Sequence, residues 1–246
     1  GLRSEYSCSS LYEKEYDLPI YTILLPLRNE GRVVSNLIKV ISQIDYPKEK
    51  LDVKLIVDDD DLSTILAIRE INIPVFMELV IVPSGFPKTK PRACNYALQF
   101  AKGDYVTIYD AEDSPDPLQL KKALAAFYGC NFRVACVQSR LNYYNANINM
   151  LTKFFALEYL FWFACVLPGF QKKDMPVPLG GTSNHFSVEI LRKVGGWDDY
   201  NVTEDADLGL RLSLYGYKTL IIDSTTLEES PISVWAWIKQ RSRWIK

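Results

Sequence analysis

Apolar runs of strand length alternate along this chain with segments whose apolar residues recur at helical spacing. "IYTILLPL" (20–27) reads as a buried strand, and Val33, Leu37, Ile41 and Ile44 then recur as one face of a helix. "VKLIVD" (53–58) predicts a second strand, followed by Ile65, Leu66, Ile68 and Ile71 on a short helix. "LVIV" (79–82), "YVTIYD" (105–110) and "VACVQS" (134–139) continue the series, with helical stretches at 91–101 and 117–128 between them. Near-continuous apolar strands separated by helices predict an α/β fold, a mostly parallel sheet covered by helices on both faces. In such sheets ligands gather beyond the carboxyl ends of the strands, near a topological switch point.

Length and composition narrow the classes. At 246 residues the chain has room for a large α/β domain, and no internal repeat, low-complexity tract or linker divides it. A formal net charge of −2 supplies no diffuse basic field, so no nucleic acid partner is expected. The basic residues cluster instead in "KTKPR" (88–92) and "KQRSRWIK" (239–246). Cys8, Cys94, Cys130, Cys136 and Cys165 form no CxxC pair and read as reduced core residues in a cytosolic environment. The opening "GLRSEYSCSS" has no apolar segment of signal-peptide type. The longest uncharged run, Tyr159 to Phe170, is well short of the ~20 residues that cross a bilayer, so the chain is expected to be soluble. Starting without Met and stopping at "RWIK" within a helical pattern, it reads as a domain excised from a longer protein, with residues 1–18 as an extension and 19–246 as one domain.

The strand ends are unusually acidic. "DDDD" (58–61) exceeds what one helix cap requires, and a spare carboxylate there suits hydrogen bonds from a base or ribose. In "YDAEDSPDP" (109–117), Asp110 and Glu112 are two apart where a bend turns both toward one point, a hard-oxygen pair suited to Mg²⁺ or Mn²⁺. Asp116 fits a turn and helix cap better than Asp110 does. Lys88, Lys90 and Arg92 precede a helix, where cations and free backbone N–H groups meet phosphate; the alternative is a solvated basic loop. In "VTEDADLGLRLSLYG" (202–216), Thr203 or Asp199 is a candidate cap. Leu208, Leu210, Leu212 and Leu214 with Tyr215 are candidates for the buried face. One cap accounts for one or two of the acids there, and a spare carboxylate beside a charged nucleotide site is placed to act as a general base. Gln240, Arg243 and Trp244 share a helix face by i, i+3, i+4 spacing; an amphipathic helix with snorkelling arginines is the plain alternative.

"ILLPLRNE" (23–30), "DDDDLST" (58–64), "KPRACNYAL" (90–98), "YDAED" (109–113), "GGTSNHF" (180–186), "GGWDDYNVTEDADLGLRL" (195–212) and "QRSRW" (240–244) occur in an order that resembles family 2 glycosyltransferases. The processive, membrane-bound branch with cellulose, chitin and hyaluronan synthases is the most similar. The resemblance spans about residues 19 to 246. It implies a GT-A fold with a mixed acceptor-side subregion. It also implies inverting transfer from a nucleotide diphosphate donor, usually UDP-linked, to a glycan acceptor, and so possible polysaccharide synthesis. By the same resemblance the donor side takes in Pro26, Arg28, Glu30 and Lys90, with Asp60, or in another frame Asp58, contacting uridine. The metal pair falls on Asp110 and Glu112, a glutamate standing where the family has a second aspartate. The catalytic base falls on Asp205, beside Glu204, and QxxRW falls on Gln240, Arg243 and Trp244, for the pyrophosphate and the acceptor end. Thr182, Asn184 and His185 are expected along the acceptor. The family's processive members carry transmembrane helices beyond QxxRW, so the full-length protein is expected at the cytoplasmic face of a membrane through segments absent from this chain.

Two segments stand apart. His185, the only histidine, reads equally as a satisfied buried residue, and "FFALEYLFWFACVLPGF" (154–170) reads as core, with an interfacial helix as the alternative for part of it. A nucleotidyltransferase would share the acidic strand ends but need a glycine-rich loop after the first strand, where "LPLRNEG" stands. A non-catalytic scaffold would need none of Asp110, Asp205 and Arg243.

Overall fold

The computed structural model describes residues 18–130 and 133–244, with the side chains of Arg243 and Trp244 outside the described part. The N-terminal extension and Cys8 lie outside it as well. An eight-stranded sheet runs in the order β3-β2-β1-β4-β7-β6-β8-β5. Its strands are β1 (Tyr21–Leu27), β2 (Leu51–Asp58), β3 (Met77–Val82), β4 (Tyr105–Ile108), β5 (Ser114–Pro115), β6 (Val134–Tyr143), β7 (Asn184–Ser187) and β8 (Lys218–Glu228). The first four pair in parallel. β7 then enters antiparallel to both β4 and β6, while β6 and β8 are parallel. The expected mostly parallel half is therefore joined to a mixed half.

Residue alternation explains the two layers. Ile23, Leu25 and Leu27 of β1 face α1 (Val34–Ser42) and α2 (Leu62–Glu70), where Leu37, Ile41, Ile65 and Ile68 are buried. Leu24, Ile56, Val106 and Ile108 face the other way, onto Ala93, Cys94 and Ala97 of α3 (Lys90–Leu98) and Leu208 and Leu212 of α7 (Glu204–Leu214). α4 (Gln119–Tyr128) and α6 (Val188–Lys193) complete the cover. In α7 the buried residues recur at helical spacing, so Leu210, Leu214 and Tyr215, expected inside, are exposed.

From β1 the chain moves outward to β2 and β3, then returns to place β4 on β1's other side. That reversal is the switch point, and it gathers the carboxyl ends of β1, β2 and β4 at one edge. Because β7 runs antiparallel beside β4, with Thr107 opposite His185, the chain entering β7 arrives at the same edge. Ser183 N donates to Ile108 O at 2.9 Å there.

The aromatic segment departs from its core reading. It forms one helix, α5 (Met150–Lys172), with a π-helical turn at Trp162–Val166 just ahead of Pro168. Asn149 and Thr152 close it with a capping box. Only Thr152, Phe155, Phe163 and Leu167 are buried, while Phe154, Leu157, Leu160, Phe161 and Trp162 are exposed. Cys165 is exposed too, Cys94 and Cys136 are buried, and these three are free thiols. By length and composition α5 is long and apolar enough to cross a membrane.

Gly209 sets how closely α7 approaches the chain ahead of β7. A Cβ there would lie 2.3 Å from Val177 O and 3.2 Å from Leu179 N. Helix propensity alone would favour alanine by about 1 kcal/mol. Contact with fixed backbone outweighs that gain, since overpacking costs about 1–3 kcal/mol. Gly209→Ala is therefore expected to lower the midpoint of denaturant unfolding, and an unchanged or raised midpoint would show that α7 can slide.

Candidate active site

α3 begins at Lys90, on the edge where the strands end, and its ammonium is the hub of the site. Lys90 Nζ lies 2.5 Å from Asp110 Oδ1 and 2.7 Å from Gly181 O. Burial works against this charge, yet Asp110 and then Asp205 more than offset it, and the Lys90 pKa is raised. Asp110 follows β4; its Oδ2 has no hydrogen bond among the described residues. Asp205 stands in the first turn of α7. Burial first, then Glu204, pushes its pKa up to about 8, with Lys90 opposing and Asp110 adding. Gly181 leaves room for Asp205, since a Cβ on it would stand 3.6 Å from Asp205 Oδ2.

α3 also fixes the segment that leads into Asp205. Asn95 Nδ2 donates to Trp197 O at 2.7 Å and to Asp199 Oδ1 at 2.6 Å, and Asn95 Oδ1 accepts from Trp197 N at 3.0 Å. Thr89 Oγ1 donates to Asp199 O at 2.9 Å. Gly196, at φ +69, sits where a side chain would strike Asn95. Thr203 holds the cap position of α7 without a side-chain hydrogen bond, and Asp199 is spent on Asn95, so neither candidate caps the helix. Glu204 is buried, and burial raises its pKa.

The four acids after β2 divide their work. Asp61 caps α2, accepting from Thr64 N at 3.1 Å, and also accepts from Asn29 N at 2.5 Å. Asp59 accepts from Ser84 N at 2.8 Å. Asp58 pairs with Arg28 at 2.5 Å, and Asp60 with Lys88 at 2.5 Å. Asp58 and Asp60 thus face the rim with cations at hand, Asp58 the more shielded. Glu30 is half-buried, and burial, then the charges of Glu112 and Asp110, raises its pKa. Pro26 lies within β1, half-buried.

The acceptor-side trio is corrected. Thr182, Asn184 and His185 are 2%, 0% and 0% exposed, because β7 lies in mid-sheet with both faces covered. His185 Nδ1 is 2.7 Å from Tyr21 Oη, and Nε2 is 3.2 Å from Gln119 Oε1, which also accepts from Tyr109 Oη. Burial depresses the His185 pKa to about 3, so the ring is a neutral interior link. Asn184 Nδ2 donates to Gly180 O at 2.7 Å, turning the loop rather than meeting a ligand. Thr182 Oγ1 faces inward within hydrogen-bond reach of both Asp113 Oδ2 and Ile108 O, its single proton shared between them.

Two residues near Asp110 went unassigned in the sequence. Asp113 is buried beneath it. Glu228 closes β8, and the antiparallel pairing of Ser114 with Leu227 makes it next in register opposite Asp113. Burial, then Asp113, Asp110 and Glu112, raises its pKa well above the carboxylate range. Gln240 on α8 (Val234–Trp244) is half-buried, its Oε1 without a hydrogen bond among the described residues. Arg243 and Trp244 follow on the same helix, their side chains outside the described part.

Acids outnumber cations around Lys90, and the donor set suits a divalent cation. Among the described residues no group of three or more His, Cys, Asp or Glu converges on one point. In Mg²⁺ or Mn²⁺ sites one or two carboxylates commonly share the ion with substrate phosphates. Asp110, with an oxygen that makes no hydrogen bond among the described residues, and exposed Glu112 would hold such an ion.

Known proteins place this geometry. The chain is 26% identical over 237 residues to the probable glycosyltransferase YdaM of Bacillus subtilis, covering 95% of this chain and 56% of that protein. It is 26% identical over 234 residues to glucomannan 4-beta-mannosyltransferase 7 of Arabidopsis thaliana, covering 92% and 42%. The chain thus spans about half the length of these curated relatives. Mannosyltransferase PcManGT from Pyrobaculum calidifontis, solved with GDP-Man and Mn²⁺, superposes with a TM-score of 0.67 at 21% identity, over 97% of this chain and 70% of that one. S. aureus TarS 1-349, solved with UDP-GlcNAc, gives 0.62 at 16% identity, over 86% and 59%. The shared fold is GT-A, as the motif order implied. Glycosyl transferase family group 2 is the family whose model matches residues 105–246, more than half of the sequence, and the chain belongs to it.

Proposed function

We propose that this domain transfers a sugar from a nucleotide diphosphate donor to a glycan hydroxyl, with inversion at the anomeric carbon. The observation that carries the reading is Lys90 at the switch point, bonded to Asp110 Oδ1 and to the carbonyl of Gly181, the glycine that stands beside Asp205. Asp205 takes the proton of the acceptor hydroxyl, whose oxygen bonds to the anomeric carbon as the bond to the diphosphate breaks. The diphosphate leaves with that electron pair on the opposite face. One base suffices for such a single displacement, by analogy with inverting glycosidases. Lys90 exchanges Asp110 for the leaving diphosphate and offsets its growing charge. A divalent cation on Asp110 and Glu112 would add to that charge stabilisation. Asp58 or Asp60 holds the nucleoside, and Gln240, Arg243 and Trp244 hold the pyrophosphate and the acceptor end.

The motif order favours a UDP-sugar. PcManGT was solved with GDP-Man, and a plant relative is a mannosyltransferase, so a GDP-sugar is the second reading. Synthesis of a polysaccharide, as in the processive branch, is the proposed biological output.

A membrane surface is the proposed working place, on its cytoplasmic face. α5 and α8 lie together, linked by Arg241 to Glu158 and by Asn149 Nδ2 to Ile232 O at 2.9 Å. Trp235, 82% exposed, and Val234 on α8 join Phe154, Leu157 and Phe161 on α5 as exposed apolar residues on these two linked helices. Lys153, Lys172 and Lys239 punctuate the two helices, a pattern suited to an anionic lipid interface.

Asp205→Asn is expected to cut turnover by about 10²–10⁴-fold while the donor dissociation constant stays within about threefold. Weak donor binding in that variant would make Asp205 a ligand. Since the base acts when deprotonated, kcat/KM of the wild type should climb from pH 6, reach half its maximum near 8 and level off about one pH unit above that. A profile flat across that window would remove Asp205 from the base role. With Asp110→Ala, Mn²⁺ should no longer enhance thermal stabilisation by UDP or GDP; an enhancement equal to wild type would move the metal elsewhere. Wild type should float with vesicles containing anionic lipid, and Leu157→Glu with Trp235→Glu should remain in the soluble fraction. Equal flotation would detach the ridge from lipid.

A further inference from the structure

Asp113 has no place in the chemistry above, yet it is the most enclosed acid of the site, 2% exposed. One of its oxygens, Oδ2, accepts from Asp110 N at 2.8 Å and from Thr182 Oγ1. Its own N–H donates to Asp110 O at 3.1 Å. The Thr182 bond reaches across to the chain entering β7, and the neighbouring Gly181 O accepts from Lys90 Nζ, which also holds Asp110 Oδ1. A closed ring results: Asp110 backbone, Asp113, Thr182, Gly181, Lys90, Asp110 side chain.

A turn or a helix cap does not account for this. Asp116 serves the start of α4, accepting from Leu118 N at 3.0 Å and pairing with Lys122. The tie to Thr182 is a contact between chain segments far apart in sequence, which a local turn does not need. The arrangement also carries a penalty, since Asp113 Oδ1 is buried with no hydrogen-bond partner among the described residues. An apolar side chain of the same shape would avoid it, so the retained carboxyl is explained by what Oδ2 holds.

We propose that Asp113 is a positioning residue for the transfer reaction. It fixes the Asp110 main chain against the Gly180–Ser183 turn, and so sets the separation between the metal-side carboxylate and the base. Gly181 lies beside Asp205, so releasing Thr182 would loosen the approach to both acids. The proposal rests on the functional reading of Asp110 and Asp205 given above, and its test includes a readout independent of that reading.

Asp113→Leu keeps the volume and removes the acceptor, whereas Asp113→Asn keeps an oxygen at the Oδ2 position for both bonds. In amide hydrogen exchange, Asp113→Leu should speed exchange at Asp110 N–H at least tenfold and leave Tyr109 N–H, bonded to Leu24 O at 3.1 Å, protected. Asp113→Asn should exchange like wild type. For calorimetric titration with Mn²⁺ plus UDP or GDP, Asp113→Leu should weaken the metal-dependent binding by about 10–100-fold, the range for lost outer-shell partners, and Asp113→Asn should restore it to within about fivefold. If Asp113→Leu does not fold, Thr182→Val, which keeps the Asp110 N–H bond to Asp113 but cuts the tie to the chain entering β7, should weaken the metal-dependent binding in the same direction. Wild-type exchange at Asp110 in the Leu variant would overturn the proposal, as would wild-type binding in the Val variant or a loss of binding that Asn fails to rescue. Should wild type bind neither nucleotide, the functional reading fails, and the exchange result still decides whether Asp113 holds Asp110.

Discussion

Everything at this site depends on one buried-edge cation among acids. Lys90 bonds Asp110 at 2.5 Å and feels Asp205 beyond it, and the surrounding carboxyls of Glu204, Asp205 and Glu228 all have raised pKa values. Like charges gathered out of water strain against ionisation, and burial compounds the effect. A fold assembled for stability alone would scatter these acids or replace them with apolar groups. Keeping them together makes sense if a dianionic diphosphate and a divalent cation complete the charge balance. Lys90 then serves two states: it holds Asp110 when the site is empty, and it faces the diphosphate when the donor is bound.

The architecture delivers those residues from separate places in the chain. β1, β2 and β4 end at one edge because the strand order reverses at β1. β7 reaches that edge only because it runs antiparallel to β4, which brings Gly181 and Thr182 to Asp110. α3 contributes Lys90 at its first residue and, through Asn95, clamps the segment that leads to Asp205. Gly209 then lets α7 lie against the chain ahead of β7. Loss of any one of these approaches would separate Asp205 from Asp110 without touching either.

The parallel half was legible in the sequence because strands buried on both faces read as unbroken apolar runs, as in "TILLPL" and "LIVD". The mixed half was not. β7 reads "NHFS", with His185 held in an interior network of Tyr21, Gln119 and Tyr109, so it carries no apolar signal. β5 has two residues and is defined only by its partner β8, which is why Asp113 and Glu228 could not be placed together beforehand. Motif order located Asp110 and Asp205 but could not say which members of "GGTSNHF" face a cleft, and Thr182, Asn184 and His185 turned inward. Composition likewise could not tell a core helix from an exposed one, so α5 was misread until its neighbours were known.

Calorimetric titration of the wild-type domain with UDP and with GDP, each in Mn²⁺ and in chelator, tests the central claim most directly. The account predicts binding of one nucleoside diphosphate that requires the metal, with the identity of the base choosing between the UDP-sugar and GDP-sugar readings. Equal binding with and without metal, or binding of neither nucleotide, would contradict the claim that the acids around Lys90 are balanced by a metal diphosphate.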